Sequence, residues 1–244
     1  MILPRFADNA LKRILEKKGY FRLKGQNGFE LERRRKLLAS LEIDLLVDIG
    51  ANVGQYGEGM RRLGYRGRII SFEPMRKALS SLEPLARTDG QWEVVPMGLS
   101  DIASKARLHI AGNSISSSML DMDSLHESLA PGSAYVAEEE IEVTTLDQVM
   151  AGRWNSEQRV WLKIDVQGLE DKVLAGATKT LEKVACIQLE LSLQSLYTGQ
   201  TTYLPLLNRL HTLGFDLAGV EAGFVNLDNG RLMQMDGLLV RRGT

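Results

Sequence analysis

Apolar and polar positions change period along this chain. The run Leu45-Leu46-Val47-Asp48-Ile49 is nearly continuous in apolar residues and breaks at Gly50-Ala51-Asn52-Val53-Gly54, after which Val53, Tyr56, Met60 and Leu63 recur at helical spacing. The pattern predicts a buried strand, a tight turn and a helix. Gly50 and Gly54 lack a Cβ, and Asn52 is one of the few other residues that tolerates positive φ. A second strand is predicted over residues 68–73, closed by Glu73-Pro74, then a helix from about 75 to 86 and a third strand over 92–96. That is a βαβαβ run, for which parallel strands joined by helices are the natural solution.

The alternation fails between about residues 103 and 143. Only 105–110 and 140–144 read as strands there, on either side of a polar stretch containing Ser114, Ser116, Ser117, Ser118, His126 and Pro131-Gly132. Long irregular segments in a compact domain are usually functional or mobile, so this one is read as a substrate-facing insertion or lid. The regular pattern then resumes. Thr144-Thr145-Leu146-Asp147 reads as a helix cap. A strand over 160–165 leads to a helix whose buried side carries Leu169, Val173, Leu174, Ala177 and Leu181, and a further strand covers 187–190.

Composition narrows the class. At 244 residues, 44% hydrophobic and 25% charged, the chain is long enough for one large α/β domain. No apolar run approaches the ~20 residues that cross a bilayer. The N-terminus lacks a signal-peptide pattern, so a soluble, cytoplasmic protein is expected. A single cysteine, Cys186, in an apolar run excludes an internal disulfide, and with three scattered histidines it gives no metal-ligand spacing. The net charge of −1 gives no reason to expect nucleic acid. The first 40 residues differ, with 11 Lys and Arg against 4 Asp and Glu. They are read as a basic helical extension (1–40) ahead of the main domain (41–244). Lys12-Arg13, Lys17-Lys18 and Arg33-Arg34-Arg35-Lys36 flank an apolar stripe of Leu11, Ile14 and Leu15; this is a solvated helix face or a docking surface for an anionic partner or membrane.

Candidate chemistry gathers at strand ends. Glu73 lies 19 residues beyond Gly54, about where dinucleotide-type folds place the acid that accepts hydrogen bonds from ribose hydroxyls. The NAD fingerprint would need glycine at positions 52 and 55, where this chain has Asn52 and Gln55. Lys163 and Asp165 stand two apart on one face of a strand predicted to be buried on both sides. Lys163 therefore needs a partner, Asp48 or Glu190 being the natural ones, and it either orders the core or serves the site. Asp165 ends its strand at the carboxyl edge, where open α/β sheets bind ligands. His126 is a candidate general base or a solvated loop residue.

The D-x-G-x-N-x-G pattern with its downstream acid resembles motif I of S-adenosylmethionine-dependent methyltransferases. More specifically, Asp48 to Gly54, Phe72-Glu73-Pro74, Leu99-Ser100-Asp101, Thr145-Leu146-Asp147 and Leu162 to Glu170 occur in the order and at about the spacing of FkbM-type methyltransferases. The closing segments Glu190 to Leu193, Leu196 to Gly199, Leu213-Gly214-Phe215 and Gln234 to Val240 are similar too. Many members carry Glu where this chain has Gln167. The resemblance implies a class I methyltransferase (Rossmann-like) α/β fold: a seven-stranded, mostly parallel sheet with an antiparallel last strand near 232–240 and helices on both faces. It implies S-adenosylmethionine as cofactor and O-methylation of a hydroxyl on a sugar or natural-product small molecule. Glu73, with Pro74, falls to the ribose, and Asp48 with Gly50, Asn52 and Gly54 to the methionyl end. Gly98, Leu99 and Ser100 or Asp101 fall to the adenine, unless that loop is a plain polar turn. Asp165 falls to the donor or the reacting hydroxyl, with His126 and Glu190 as further candidate bases. An NAD-type oxidoreductase and a catalytically silent scaffold are the competing classes.

Overall fold

The computed structural model describes residues 27–154 and 158–244. Helix α1 (Asn27–Ser40) leads into β1 (Leu45–Ile49), α2 (Gln55–Arg62), β2 (Arg68–Phe72), α3 (Arg76–Asp89) and β3 (Trp92–Val95), so the expected βαβαβ run is present. A two-residue strand β4 (Gly98–Leu99) precedes β5 (Ser104–Ala111), α4 (Ser124–Leu129) and β6 (Tyr135–Thr144). Then come α5 (Leu146–Met150), β7 (Val160–Ile164), α6 (Glu170–Ala175), α7 (Thr178–Leu181) and β8 (Val184–Ser192). The chain closes with α8 (Tyr203–Thr212), β9 (Phe215–Ala222) and β10 (Gln234–Arg241).

The main sheet has seven strands in the order β3-β2-β1-β7-β8-β10-β9. The pairs from β3 through β8 are parallel, and β10 runs antiparallel between β8 and β9. Strand periodicity divides the core between its two faces. Leu45, Val47, Ile49, Leu162 and Ile164 join one apolar cluster, while Leu46, Trp161 and Cys186 join another on the opposite face. Asp48 and Lys163 are register partners and point to that second face. The sheet order thus sets a buried charge pair before any side chain is considered.

The irregular middle of the chain builds a second sheet, β4-β6-β5. Its long strand begins at Tyr135, five residues before the expected start. The acidic run Glu138-Glu139-Glu140 conceals the strand in the sequence. In the structure Glu140 pairs with Lys105 and Glu138 with Arg107 across the hairpin, so the charges are outward cross-strand partners.

The N-terminal expectation needs correction where it can be seen. Leu38 and Leu41 are buried in the second cluster, so α1 packs on the sheet and the boundary expected at residue 40 falls inside the packed body. Arg33 and Arg34 do not form a solvated face either; both pair with Glu221 of β9. The stripe Leu11, Ile14 and Leu15 and the basic pairs at 12–13 and 17–18 lie outside the described residues.

Candidate active site

A cavity of about 410 Å³ opens at the carboxyl edge of the main sheet. Gly50, Asn52, Glu73, Asp165, Gln167 and Glu190 contribute to one side of its wall, and residues 113–119 of the insertion to another.

The glycine turn explains its own composition. Gly50 has φ 74°, and a Cβ there would lie 1.8 Å from the carbonyl oxygen of Asp165. Only glycine lets the ends of β1 and β7 approach this closely. Asn52 adopts φ 47°, which aims its N–H at the end of β2. There it donates to Glu73 Oε2 at 2.8 Å, while the N–H of Met75 donates to Oε1 at 2.8 Å. Both carboxylate oxygens are thus fixed by backbone, each keeping acceptor capacity toward the cavity. Burial pushes the Glu73 carboxyl up to about 7, against the pull of the two N–H groups. Gly54 has a different part from the one expected. It caps α2 at φ 91°, and a Cβ on it would strike Leu82 and Leu85. It shapes the helix packing and is not in the cavity wall.

Lys163 lies beneath the turn. Its ammonium donates to the Gly50 carbonyl at 3.1 Å and stands 3.4 Å from both Asp48 Oδ1 and Asp165 Oδ2. The expected partner Asp48 is therefore confirmed, whereas the second is Asp165 rather than Glu190. Lys163 is opposite Gln188 in the β7–β8 register, which places Glu190 two positions further along β8. Burial disfavours the charge on Lys163, but Asp165 and Asp48 outweigh it and hold the pKa above the usual lysine range. Asp48 itself is fully enclosed and absent from the cavity wall; any influence it has there passes through Lys163.

Asp165 and Glu190 meet through Gln167. The Gln167 amide nitrogen donates to Asp165 Oδ1 at 2.7 Å and to Glu190 Oε2 at 3.0 Å. Gln234 of β10 adds a donor to Glu190 Oε2 at 2.5 Å. Burial, reinforced by repulsion from Asp165, pushes the Glu190 carboxyl well up.

Pro74, Gly98 and Leu99 line the cavity. Ser100 and Asp101 do not. The Ser100 hydroxyl donates to Asp101, whose carboxylate pairs with Lys172 outside the cavity. His126 is also displaced from its expected setting. It belongs to α4, is 4% exposed, and packs edge-on to Tyr197 with Phe224 nearby. Its Nδ1 has no hydrogen-bond partner, burial pushes its pKa down, and it does not line the cavity. It is a core histidine, outside the group of candidate bases that the structure brings together. Two residues that the sequence pattern does not mark are Gln234, which lines the cavity, and Tyr197, which lies outside its wall and donates to Gln167. Each lies in an ordinary apolar or mixed stretch and reaches the site only through the path of the chain after β8.

The sheet order, with its antiparallel β10 inserted before β9, is that of the class I methyltransferase fold, and the acid at the end of β2 lies beside the cavity. The model of the methyltransferase FkbM domain matches residues 48–217, and the chain belongs to that family. No curated protein matches it. Among solved structures it is similar to a methyltransferase FkbM from Methylobacillus flagellatus KT, at 17% identity and TM-score 0.49 over 80% of this chain and 44% of that one. The chain thus spans less than half the length of that relative. It is also similar to magnesium protoporphyrin IX methyltransferase from Synechocystis PCC 6803 with bound SAM (10% identity, TM-score 0.46, 99% of this chain and 86% of that one). A third is an rRNA methylase from Streptococcus thermophilus (11% identity, TM-score 0.45, 86% and 95%).

Proposed function

We propose that this chain transfers a methyl group from S-adenosylmethionine to a hydroxyl of a small acceptor, a sugar or a natural product. The observation that carries the reading is Glu73, clasped by the N–H groups of Asn52 and Met75 at the wall of a cavity that Gly50 and Asp165 also bound. A carboxylate fixed in this way suits ribose hydroxyls, and the Cβ-free turn at Gly50 allows close backbone approach. The donor set therefore fits the cofactor, which when bound supplies a methyl group activated on a sulfonium.

The protein's part is alignment and proton handling. Fixed alignment of two reactants can supply several kcal/mol. Asp165 is the assigned base: Oδ1 is held by Gln167, Oδ2 faces the Lys163 ammonium, and the side chain borders the cavity. It accepts the proton that the acceptor hydroxyl loses, a role worth on the order of 10²–10⁴-fold. Glu190 is the second carboxylate within reach of the same space.

Calorimetric titration of the purified chain with S-adenosylmethionine and, separately, with NAD tests the reading. Micromolar binding of the former alone is expected. Binding of NAD instead would assign the site to an oxidoreductase, and binding of neither would leave a scaffold.

A further inference from the structure

Gln167 holds φ 55°, in the left-handed region that side chains rarely adopt. A residue held there at a site wall points to a task for its side chain. Every polar atom of that side chain is engaged. Besides the two carboxylates on Nε2, Oε1 accepts from the Tyr197 hydroxyl at 2.7 Å, and the main-chain oxygen accepts from the Ser118 hydroxyl at 2.6 Å. The alternative amide orientation would set Oε1 against two carboxylates, so the network fixes which end is the donor. Asp165 and Glu190 repel each other across this space, and among the described residues Gln167 alone donates to both. Glycine at position 167 would relieve the backbone and lose the bridge.

We propose that Gln167 is a positioning residue whose side-chain amide fixes Asp165 and Glu190 as one carboxylate pair facing the cavity. The proposal rests on the donor reading for what the pair acts upon, but the bridge itself can be measured without any ligand.

Gln167→Met keeps the length of the side chain and removes both donors. The pair then retains a proton more firmly in the folded chain than in the unfolded one, so stability falls as pH rises. The expected result is a melting-temperature gap between wild type and Gln167→Met that widens by about 3–5 °C between about pH 5.5 and pH 8. Tyr197→Phe, which frees Oε1 but leaves the amide, gives the same trend at smaller size and decides the matter if Gln167→Met does not fold. A gap constant with pH is a packing effect and overturns the proposal. At about pH 8, calorimetry should show roughly 5- to 10-fold weaker binding of cationic S-adenosylmethionine by the variant, and under about twofold for neutral S-adenosylhomocysteine. Equal loss of both ligands also overturns it. A wild-type chain that binds neither refutes the donor reading instead, and the pH-dependent gap still decides the role of Gln167.

Discussion

If Glu73 holds the donor's ribose, as proposed, donor binding is a function of pH. Its carboxyl, raised by burial to about 7, accepts ribose hydroxyl hydrogen bonds best when ionised, so affinity should rise as pH increases through that value. We expect S-adenosylmethionine to bind up to about tenfold more weakly at pH 6 than at pH 8. Glu73→Gln should bind weakly at both, and a wild-type dissociation constant that stays flat over this range would count against the assignment. Lys163 offers a stability test. Lys163→Met leaves Asp48 enclosed and unpaired, which should cost about 3–5 kcal/mol by denaturant unfolding. The double variant Lys163→Met, Asp48→Leu should recover much of that loss. Asp165→Asn should fold and still bind the donor, though more weakly, yet abolish transfer to a hydroxyl acceptor even at saturating donor; full activity would remove it as the base.

At the scale of elements, α2 carries two glycines with opposite expectations. A Cβ on Gly57 would come within 2.4 Å of the Trp92 indole, the side chain from β3 whose N–H donates to Ser71. A Cβ on Gly59 would meet nothing within 4 Å. Gly57→Ala should therefore cost about 1–3 kcal/mol through overpacking, while Gly59→Ala should gain up to about 1 kcal/mol in helix propensity. Thermal melts of the two variants check both signs. Elements of this kind were legible because burial imposes a period on sequence: β1, β2, β3 and β7 were each visible as apolar runs ending in a turn or an acid. The insertion was half legible. Ala106, Leu108 and Ile110 alternate with charged or polar residues and mark β5, whereas the acidic run 138–140 hides the start of β6, and His126 looked like a loop residue because nothing in its neighbourhood announces Tyr197 and Phe224. Glu73 and Asp165 were readable from their place at strand ends, whereas the bridge made by Gln167 depends on a backbone angle and on side chains 23 and 30 positions away.

For the molecule as a whole, α1 is tied to the far edge of the sheet. Arg33 donates to Glu221 at 3.0 Å, Arg34 pairs with the same carboxylate, and the Arg34 guanidinium lies 5.6 Å from the centre of the Tyr56 ring. Glu221→Ala removes the shared acceptor and leaves two half-buried guanidinium groups. It should destabilise the fold by about 2 kcal/mol and speed hydrogen exchange in α1 before it does so in β1.

The strand order also sets a schedule for synthesis. Gln234, which holds Glu190 and lines the cavity, belongs to β10, and β10 lies between β8 and β9. A nascent chain that has emerged only as far as β9 has both neighbours of the missing strand and no means of joining them. The site is therefore complete only once β10, the last in order of these ten strands, has been made, and a product truncated before it would carry the glycine turn and the acid of β2 without the completed pocket.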